Sequence, residues 1–177
     1  TQAIANNALS FGNSTKAAGV NSTAYGSNTD SSGVNSTAFG QLSKAYGTNS
    51  TAFGLSSFSN AAQASAFGES SNATGVNSTA FGKDTSSNAV QSVAFGLGAL
   101  ASSDQSTAFG KDTIASGNQS TAFGYLTTGS GTNSVAWGKN TLSSGDQTTT
   151  FGENSCAIGN NSLAFGLDVS AGESQST

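Results

Sequence analysis

The sequence predicts an all-β fold, a β-solenoid of about 12 coils per chain in which each coil is one 14-residue repeat. Glycine recurs every 14 residues from Gly12 to Gly166 without an insertion, and the residue before each of these glycines is aromatic. The 177 residues contain no proline. A 14-residue repeat with two turns is too short for a useful helix or for a βαβ crossover. We therefore expect a single repeat domain over residues 1–177 with two short strands per coil.

The first strand of each coil is predicted for the run N-S-T-A-F-G, which fills repeat positions 7–12 when residues 1–14 are the first copy. Position 7 is always Asn or Gln, which predicts a ladder of side-chain hydrogen bonds between stacked amides. Side chains at positions 9 and 11 face opposite to those at positions 8 and 10. Either Thr and Phe fill the interior or Ser and Ala do, and both arrangements are geometrically allowed.

The second strand is predicted for positions 1–5, where small residues at positions 1, 3 and 5 alternate with variable residues at positions 2 and 4. This alternation is typical of a strand with one covered face, so positions 2 and 4 should face solvent. Glycines at positions 12 and 5 are expected to supply positive φ or a tight bend at the two corners. Proline is absent because a strand paired on both sides loses a hydrogen bond wherever an N–H is missing.

The composition excludes several classes of function. Five lysines and nine acids give a net charge of −4 without a basic patch, so nucleic acid is not an expected partner. There is no His or Arg, and Cys156 and the many serines therefore lack the usual activating base. The acids are scattered singly, which disfavours a polysaccharide-cleaving β-helix enzyme, and those beside Lys83 and Lys139 are expected to form corner ion pairs. We expect no catalysis, cofactor or metal site.

Two further features concern the ends and surfaces of the array. No apolar run approaches the roughly 18 residues of a membrane helix, so no membrane contact is expected from this stretch. The chain opens and closes in register, which predicts a fragment of a longer array that is uncapped at both ends. An ice-binding solenoid is an alternative, but threonines at positions 1 and 9 lie on different strands and form no double rank on one face.

The repeat resembles a known family. G-V-N-S-T-A-Y-G at 19–26, G-V-N-S-T-A-F-G at 33–40 and 75–82, and S-K-A-Y-G at 43–47 are similar to the head repeats of YadA-like trimeric autotransporter adhesins, N-S-V-A-I-G followed by two free residues and S-x-A-x-G. This chain has an aromatic residue where Ile is usual and Thr where Val is usual. The resemblance implies a left-handed parallel β-roll and a homotrimer. It also implies non-catalytic adhesion to host matrix, cells or abiotic surfaces from the bacterial outer membrane. A phage or other surface fibre built on the same repeat is the alternative.

Two sets of candidate functional residues follow. Three flat sheets around a trimer axis leave a gap that needs large side chains, which favours an outward aromatic column. The residues expected to pack in the trimer are Phe39, Phe53, Phe67, Phe81, Phe95, Phe109, Phe123 and Trp137. Ligand contacts are expected at the apolar residues of outward positions 2 and 13, because exposed apolar patches mark contact surfaces. These residues are Phe58, Leu97, Leu100, Ile114, Tyr125 and Leu142, with Leu55 and Leu167 as further members of the same positions.

Overall fold

The computed structural model describes residues 1–175, and all the regular secondary structure within them is β. The chain divides into two compact units, Thr1–Asn88 and Ala89–Thr177. In each unit every 14-residue repeat forms one coil with one long and one short strand, and every strand pairs in parallel with its equivalents one repeat away. The predicted parallel β-solenoid with a 14-residue coil is therefore confirmed.

The long strands of the first unit form one sheet and the short strands form another. The long strands are β2 (Leu9–Asn13), β4 (Thr23–Ser27), β6 (Thr37–Gln41), β8 (Thr51–Phe53), β10 (Ser65–Phe67) and β12 (Thr79–Lys83). The short strands are β1 (Gln2–Ala3), β3 (Lys16–Ala17), β5 (Asp30–Ser31), β7 (Lys44–Ala45), β9 (Phe58–Ser59), β11 (Asn72–Ala73) and β13 (Ser86–Ser87).

The second unit repeats this arrangement. Its long strands are β14 (Val93–Leu97), β16 (Thr107–Lys111), β18 (Thr121–Tyr125), β20 (Val135–Lys139), β22 (Thr149–Glu153) and β24 (Leu163–Leu167). Its short strands are β15 (Leu100–Ala101), β17 (Ile114–Ala115), β19 (Thr128–Gly129), β21 (Leu142–Ser143), β23 (Cys156–Ala157) and β25 (Ser170–Ala171).

The strands occupy fewer repeat positions than the sequence predicted. A long strand covers positions 9–13 and a short strand covers positions 2–3, so the amide and serine at positions 7 and 8 precede the long strand. Strands β8 and β10 are shorter still and end at their aromatic residue. Residues 54–56 and 68–70 then turn, where the equivalent residues of the other copies extend the ladder. The coil is therefore locally irregular at this point of the first unit.

The interior of each coil is made of small side chains. Ala38 at position 10 and Ser36 at position 8 are fully buried, as are Ser43 and Ala45 from the second strand. Buried hydroxyls pair across this thin interior, for example Ser31 Oγ with Ser36 Oγ at 2.7 Å. Of the two arrangements that the sequence allowed, the structure has Ser and Ala inside and the aromatic residues outside.

The corners differ from the prediction. Positive φ occurs at positions 7 and 14, as at Asn35 (φ 55°) and Leu42 (φ 59°), and at the position-12 glycines. The position-5 glycines do not adopt it, but they begin the tight turn at positions 5–7, as at residues 19–21, so of the two alternatives predicted for this corner the structure has the bend. They are required by close approach. A Cβ on Gly117 would lie 2.0 Å from the carbonyl oxygen of Gly131 in the next coil.

Two predicted side-chain interactions are confirmed. In the amide ladder, Asn21 Nδ2 donates to Asn35 Oδ1 at 2.9 Å in the first unit, and Gln119 Nε2 donates to Gln105 Oε1 at 2.6 Å in the second. The corner lysines pair with glutamates, and these ion pairs are Lys83–Glu69 at 3.2 Å and Lys139–Glu153 at 2.6 Å. Both pairs are exposed and contribute little to the free energy of folding, because water screens them. Hydrogen bonding to Glu153 raises the pKa of Lys139.

Candidate interaction surfaces

Each unit carries one outward aromatic column, with one ring per coil at repeat position 11. The residue before the ring is alanine in ten of the twelve copies, and each of these alanines points into the interior, so the ring itself must point outward. Most of the rings are about 40% exposed, for example Phe39 at 38% and Trp137 at 44%. The columns consist of Phe11, Tyr25, Phe39, Phe53, Phe67 and Phe81 in the first unit, and of Phe95, Phe109, Phe123, Trp137, Phe151 and Phe165 in the second.

The rings stack because the coils are in register. Tyr25 and Phe39 have centroids 4.7 Å apart and planes within 4°, and Phe95 and Phe109 repeat this geometry at 4.7 Å and 3°. The stack loosens in the irregular coils, where the centroids of Phe53 and Phe67 are 6.5 Å apart and their planes are tilted by 34°. Regular coil stacking therefore orders the rings into a rigid apolar stripe.

The stripe is large for a surface feature. A buried aromatic side chain covers about 150–250 Å², so a ring exposed by about two fifths leaves roughly 60–100 Å² in contact with water. The six rings of one unit together leave roughly 400–600 Å², which matches the largest apolar patch of a typical monomer, and such patches are often functional. The aromatic column is thus a candidate interaction surface.

The six residues predicted to contact ligand are distributed over several surfaces. Leu97 and Tyr125 end long strands of the second unit, and both are about 40% exposed. Leu100, Ile114 and Leu142 lie on its short strands, where Leu100 and Ile114 are register partners. Phe58 belongs to the first unit, on β9. The structure therefore does not gather these six residues into one site.

The sequence analysis missed a groove of about 340 Å³ in the first unit. We call it the Leu42 groove, and its lining residues are Leu42, Lys44, Ser56, Ser57 and Phe58. Only Phe58 was predicted. The signal that could have revealed the groove is Leu42 itself, since position 14 is Ser, Asn, Asp or Gly in ten of the twelve copies.

A tyrosine outside the aromatic column supports the Leu42 groove. The Tyr46 ring meets the Phe58 ring edge-on, with centroids 5.7 Å apart and planes at 88°. Burial, the negative charge of Asp30 and a hydrogen bond to Asp30 raise the pKa of Tyr46 above its usual value of 10.0. The Tyr46 hydroxyl therefore stays protonated at neutral pH.

Residues 1–175 contain no cluster of three or more His, Cys, Asp or Glu side chains suited to a metal ion. Cys156 is half-buried, and its thiol donates to Ser170 Oγ at 3.2 Å. Within the same residues no helix is long and apolar enough to cross a membrane.

The outward aromatic columns and the variable outward positions, carried on a thin Ala/Ser solenoid, define a repetitive β-roll module that presents surfaces. A family profile described as the YadA head domain repeat (2 copies) matches residues 3–29, 31–57, 59–85, 87–113, 101–127, 115–141 and 138–162. The chain belongs to this family and is a YadA-like head of a trimeric autotransporter adhesin. The family is non-enzymatic, and its heads are surface-exposed passengers. A comparison with curated proteins gave no match.

Proposed function

We propose that the chain is one third of a homotrimeric adhesive head, displayed from the bacterial outer membrane and binding host matrix, cells or abiotic surfaces without catalysis. The observation that carries the proposal is the outward aromatic column above an interior of Ala and Ser. A solenoid gains nothing in its own core from rings that point away from it. Burial between chains is what gives these rings a favourable free energy.

The aromatic column suits a trimer axis. Three flat sheets facing a common axis leave a central space that only large side chains fill. The rings proposed to fill it are Phe39, Phe53, Phe67, Phe81, Phe95, Phe109, Phe123 and Trp137. Stacked and rigid rings lose little side-chain entropy when they are buried, which favours association.

Adhesion is assigned to the outward positions outside this column. The interior positions are occupied by packing, so partners can be contacted only through variable outward side chains. The proposed contacts are Phe58, Leu97, Leu100, Ile114, Tyr125 and Leu142. Several are exposed apolar side chains, the kind of surface that proteins use for contact.

Two measurements test the proposal. Sedimentation equilibrium of the chain should give a mass three times that of one chain, and a monomer at all concentrations would contradict the trimer. Adhesion of the displayed chain to a panel of matrix proteins and plastic should fall when the six contacts, Leu55 and Leu167 are all changed to Ser. Unchanged adhesion of that variant would contradict the assignment of these residues.

A further inference from the structure

The Leu42 groove lies at a corner of the first unit where consecutive coils meet. Leu42 ends one repeat, Lys44 is on β7, Ser56 ends the next repeat and Phe58 is on β9. Its volume of about 340 Å³ is at the lower end of the range for small-molecule sites. The adjoining turn at residues 54–56 is the irregular part of the coil described above. A second groove at the equivalent repeat positions is lined by Thr1, Gln2, Ser14, Thr15 and Lys16. The Leu42 groove therefore differs from the repeat in its side chains and not in its place on the coil.

Leu42 is unfavourable for the scaffold. Its φ of 59° is left-handed, a conformation that costs of order 1–3 kcal/mol for a residue other than glycine and that Asn and Asp tolerate best. Its side chain is 44% exposed, so interior packing does not offset this cost. Leu42 therefore costs folding free energy and lines a groove, and such a combination indicates a functional role such as ligand binding.

Lys44 gives the groove a positive charge. It is a register neighbour of Asp30 on the short-strand sheet, but the Asp30 carboxylate pairs with Lys16 at 3.7 Å and accepts a hydrogen bond from Ser32 Oγ at 2.5 Å. Among the described residues no carboxylate forms an ion pair with Lys44. The groove is thus complementary to an anion, although the chain as a whole is negative.

Phe58 forms a rigid apolar wall. The Tyr46 ring packs against it edge-to-face, with ring centroids 5.7 Å apart. Leu42 supplies a second apolar contact and Ser56 a hydroxyl. The groove therefore combines two apolar surfaces, one ammonium group and a neutral hydrogen-bonding group.

Four backbone N–H groups around the groove are already paired. Those of Leu42, Lys44, Ser56 and Phe58 donate to carbonyl oxygens of neighbouring coils at 2.8–2.9 Å. An extended peptide cannot add here as a strand, because strand addition requires an unpaired edge. Recognition is therefore expected mainly through side chains, which suits a compact ring with hydroxyl groups better than a peptide.

We propose that the Leu42 groove binds a carboxylate-bearing pyranose, such as the acidic sugar of a surface glycan. The C–H face of the sugar packs on Phe58 and Leu42, its carboxylate pairs with Lys44, and a hydroxyl bonds to Ser56. This inference rests on the adhesive function proposed above and gives one of its ligands a chemical class.

The test titrates the whole chain with methyl glucuronide and with methyl glucoside, which has a hydroxymethyl group in place of the carboxylate, and follows amide chemical shifts. We expect the glucuronide to bind about tenfold more tightly, a difference of about 1.4 kcal/mol. Lys44→Gln should remove this preference, and Leu42→Ser should weaken both ligands. The matched controls are Lys83→Gln and Val34→Ser, both exposed in the same unit, and they should change nothing.

Leu42→Ser restores a residue that other copies carry at position 14, so it should fold, and circular dichroism checks this. Equal affinity for the two glycosides, or unchanged binding by Leu42→Ser, would overturn the inference. Binding of an oligoglutamate peptide with the same dependence on Lys44 would overturn it in favour of simple charge attraction. If the glycosides fail to bind while the displayed chain still adheres, only this inference falls. Glucuronide binding by a chain that never adheres would contradict the proposed function instead.

Discussion

Replacing Phe39, Phe53, Phe81 and Phe109 by Ser should convert the trimer proposed above into monomers. These rings are 38%, 48%, 46% and 38% exposed in the single chain. With about 150–250 Å² per ring, each leaves roughly 60–120 Å² to be buried by partner chains. At about 25 cal/mol per Å² this is roughly 1.5–3 kcal/mol per ring, or on the order of 8 kcal/mol per chain for the four rings. A loss of this size is comparable to the whole binding free energy of a micromolar complex, which is about 8 kcal/mol.

Sedimentation velocity with far-UV circular dichroism measures this outcome. The interior Ala and Ser residues are untouched, so the variant should sediment as a monomer that keeps its β signal. The matched control changes Val20, Val34, Val76 and Val90 to Ser, because these side chains are 42–43% exposed at repeat position 6 and lie outside the column. The control should remain trimeric. A stable trimer in the Phe variant, or loss of β structure with no monomer stage, would refute the reasoning.

Three other outcomes are expected. Gly117→Ala should lower the free energy of unfolding by about 3 kcal/mol, because overpacking forces the backbone apart. Gly172→Ala, at repeat position 4 and with no atom within 4 Å of its Cβ, should not, and equal urea midpoints would contradict the clash. The pKa of Tyr46 is higher in the folded chain than its usual value of 10.0. The contribution of the protonated Tyr46 to the free energy of folding is therefore fully present below pH 10.0, and it is lost as the pH rises through the folded-state pKa. Tyr46→Phe should therefore flatten the decline of stability in alkali, and an unchanged slope would count against it. Incubation with saccharides and peptides should give no turnover, and an activity abolished by one point substitution would contradict this.

The coil period and its two strands were predictable because stacking imposes the same environment on equivalent residues of every copy. Ala38 and its equivalents must be small wherever the two sheets approach closely, and this requirement appears in the sequence as a constant position. The orientation of the aromatic residues was not fixed by alternation alone. The buried alanines decide it, because a thin interior has no room for rings.

The corners were harder to predict. Glycine was expected at both, and the position-12 glycines do have positive φ, but so do residues such as Asn35 and Leu42, which were not predicted to have it. Asn tolerates positive φ, so the amide residue at position 7 of every copy was compatible with a place in the strand, with a hydrogen-bond ladder and with a corner. The position-5 glycines satisfy another constraint, the close approach of coil to coil at Gly117 and its equivalents. The regular spacing of glycine in the sequence does not show whether a glycine is needed for positive φ or for the close approach of neighbouring coils.

The Leu42 groove was not predictable from the repeat pattern, because the pattern describes only what the copies share. Lys44 and Phe58 lie at a position that varies freely, so neither residue stood out, and Tyr46 was visible only as an aromatic outside the column. The unpaired charge of Lys44 depends on Asp30 being engaged by Lys16, which only the structure reveals.

In this solenoid, packing fixes the residue type at the interior positions of every repeat. Side chains that could recognise a partner are therefore found where a single copy departs from the repeat. Leucine replaces the usual polar residue or glycine at position 14 in one copy of each unit, at Leu42 and at Leu126. Both have positive φ, and both are about 45% exposed. Beside Leu126, the Tyr125 ring lies 5.3 Å below Lys111 Nζ, so an aromatic ring and an ammonium group again accompany the unfavourable leucine. The repeat explains neither leucine, whereas the adhesive function proposed above would place an apolar side chain, a ring and a charge together at an outward corner.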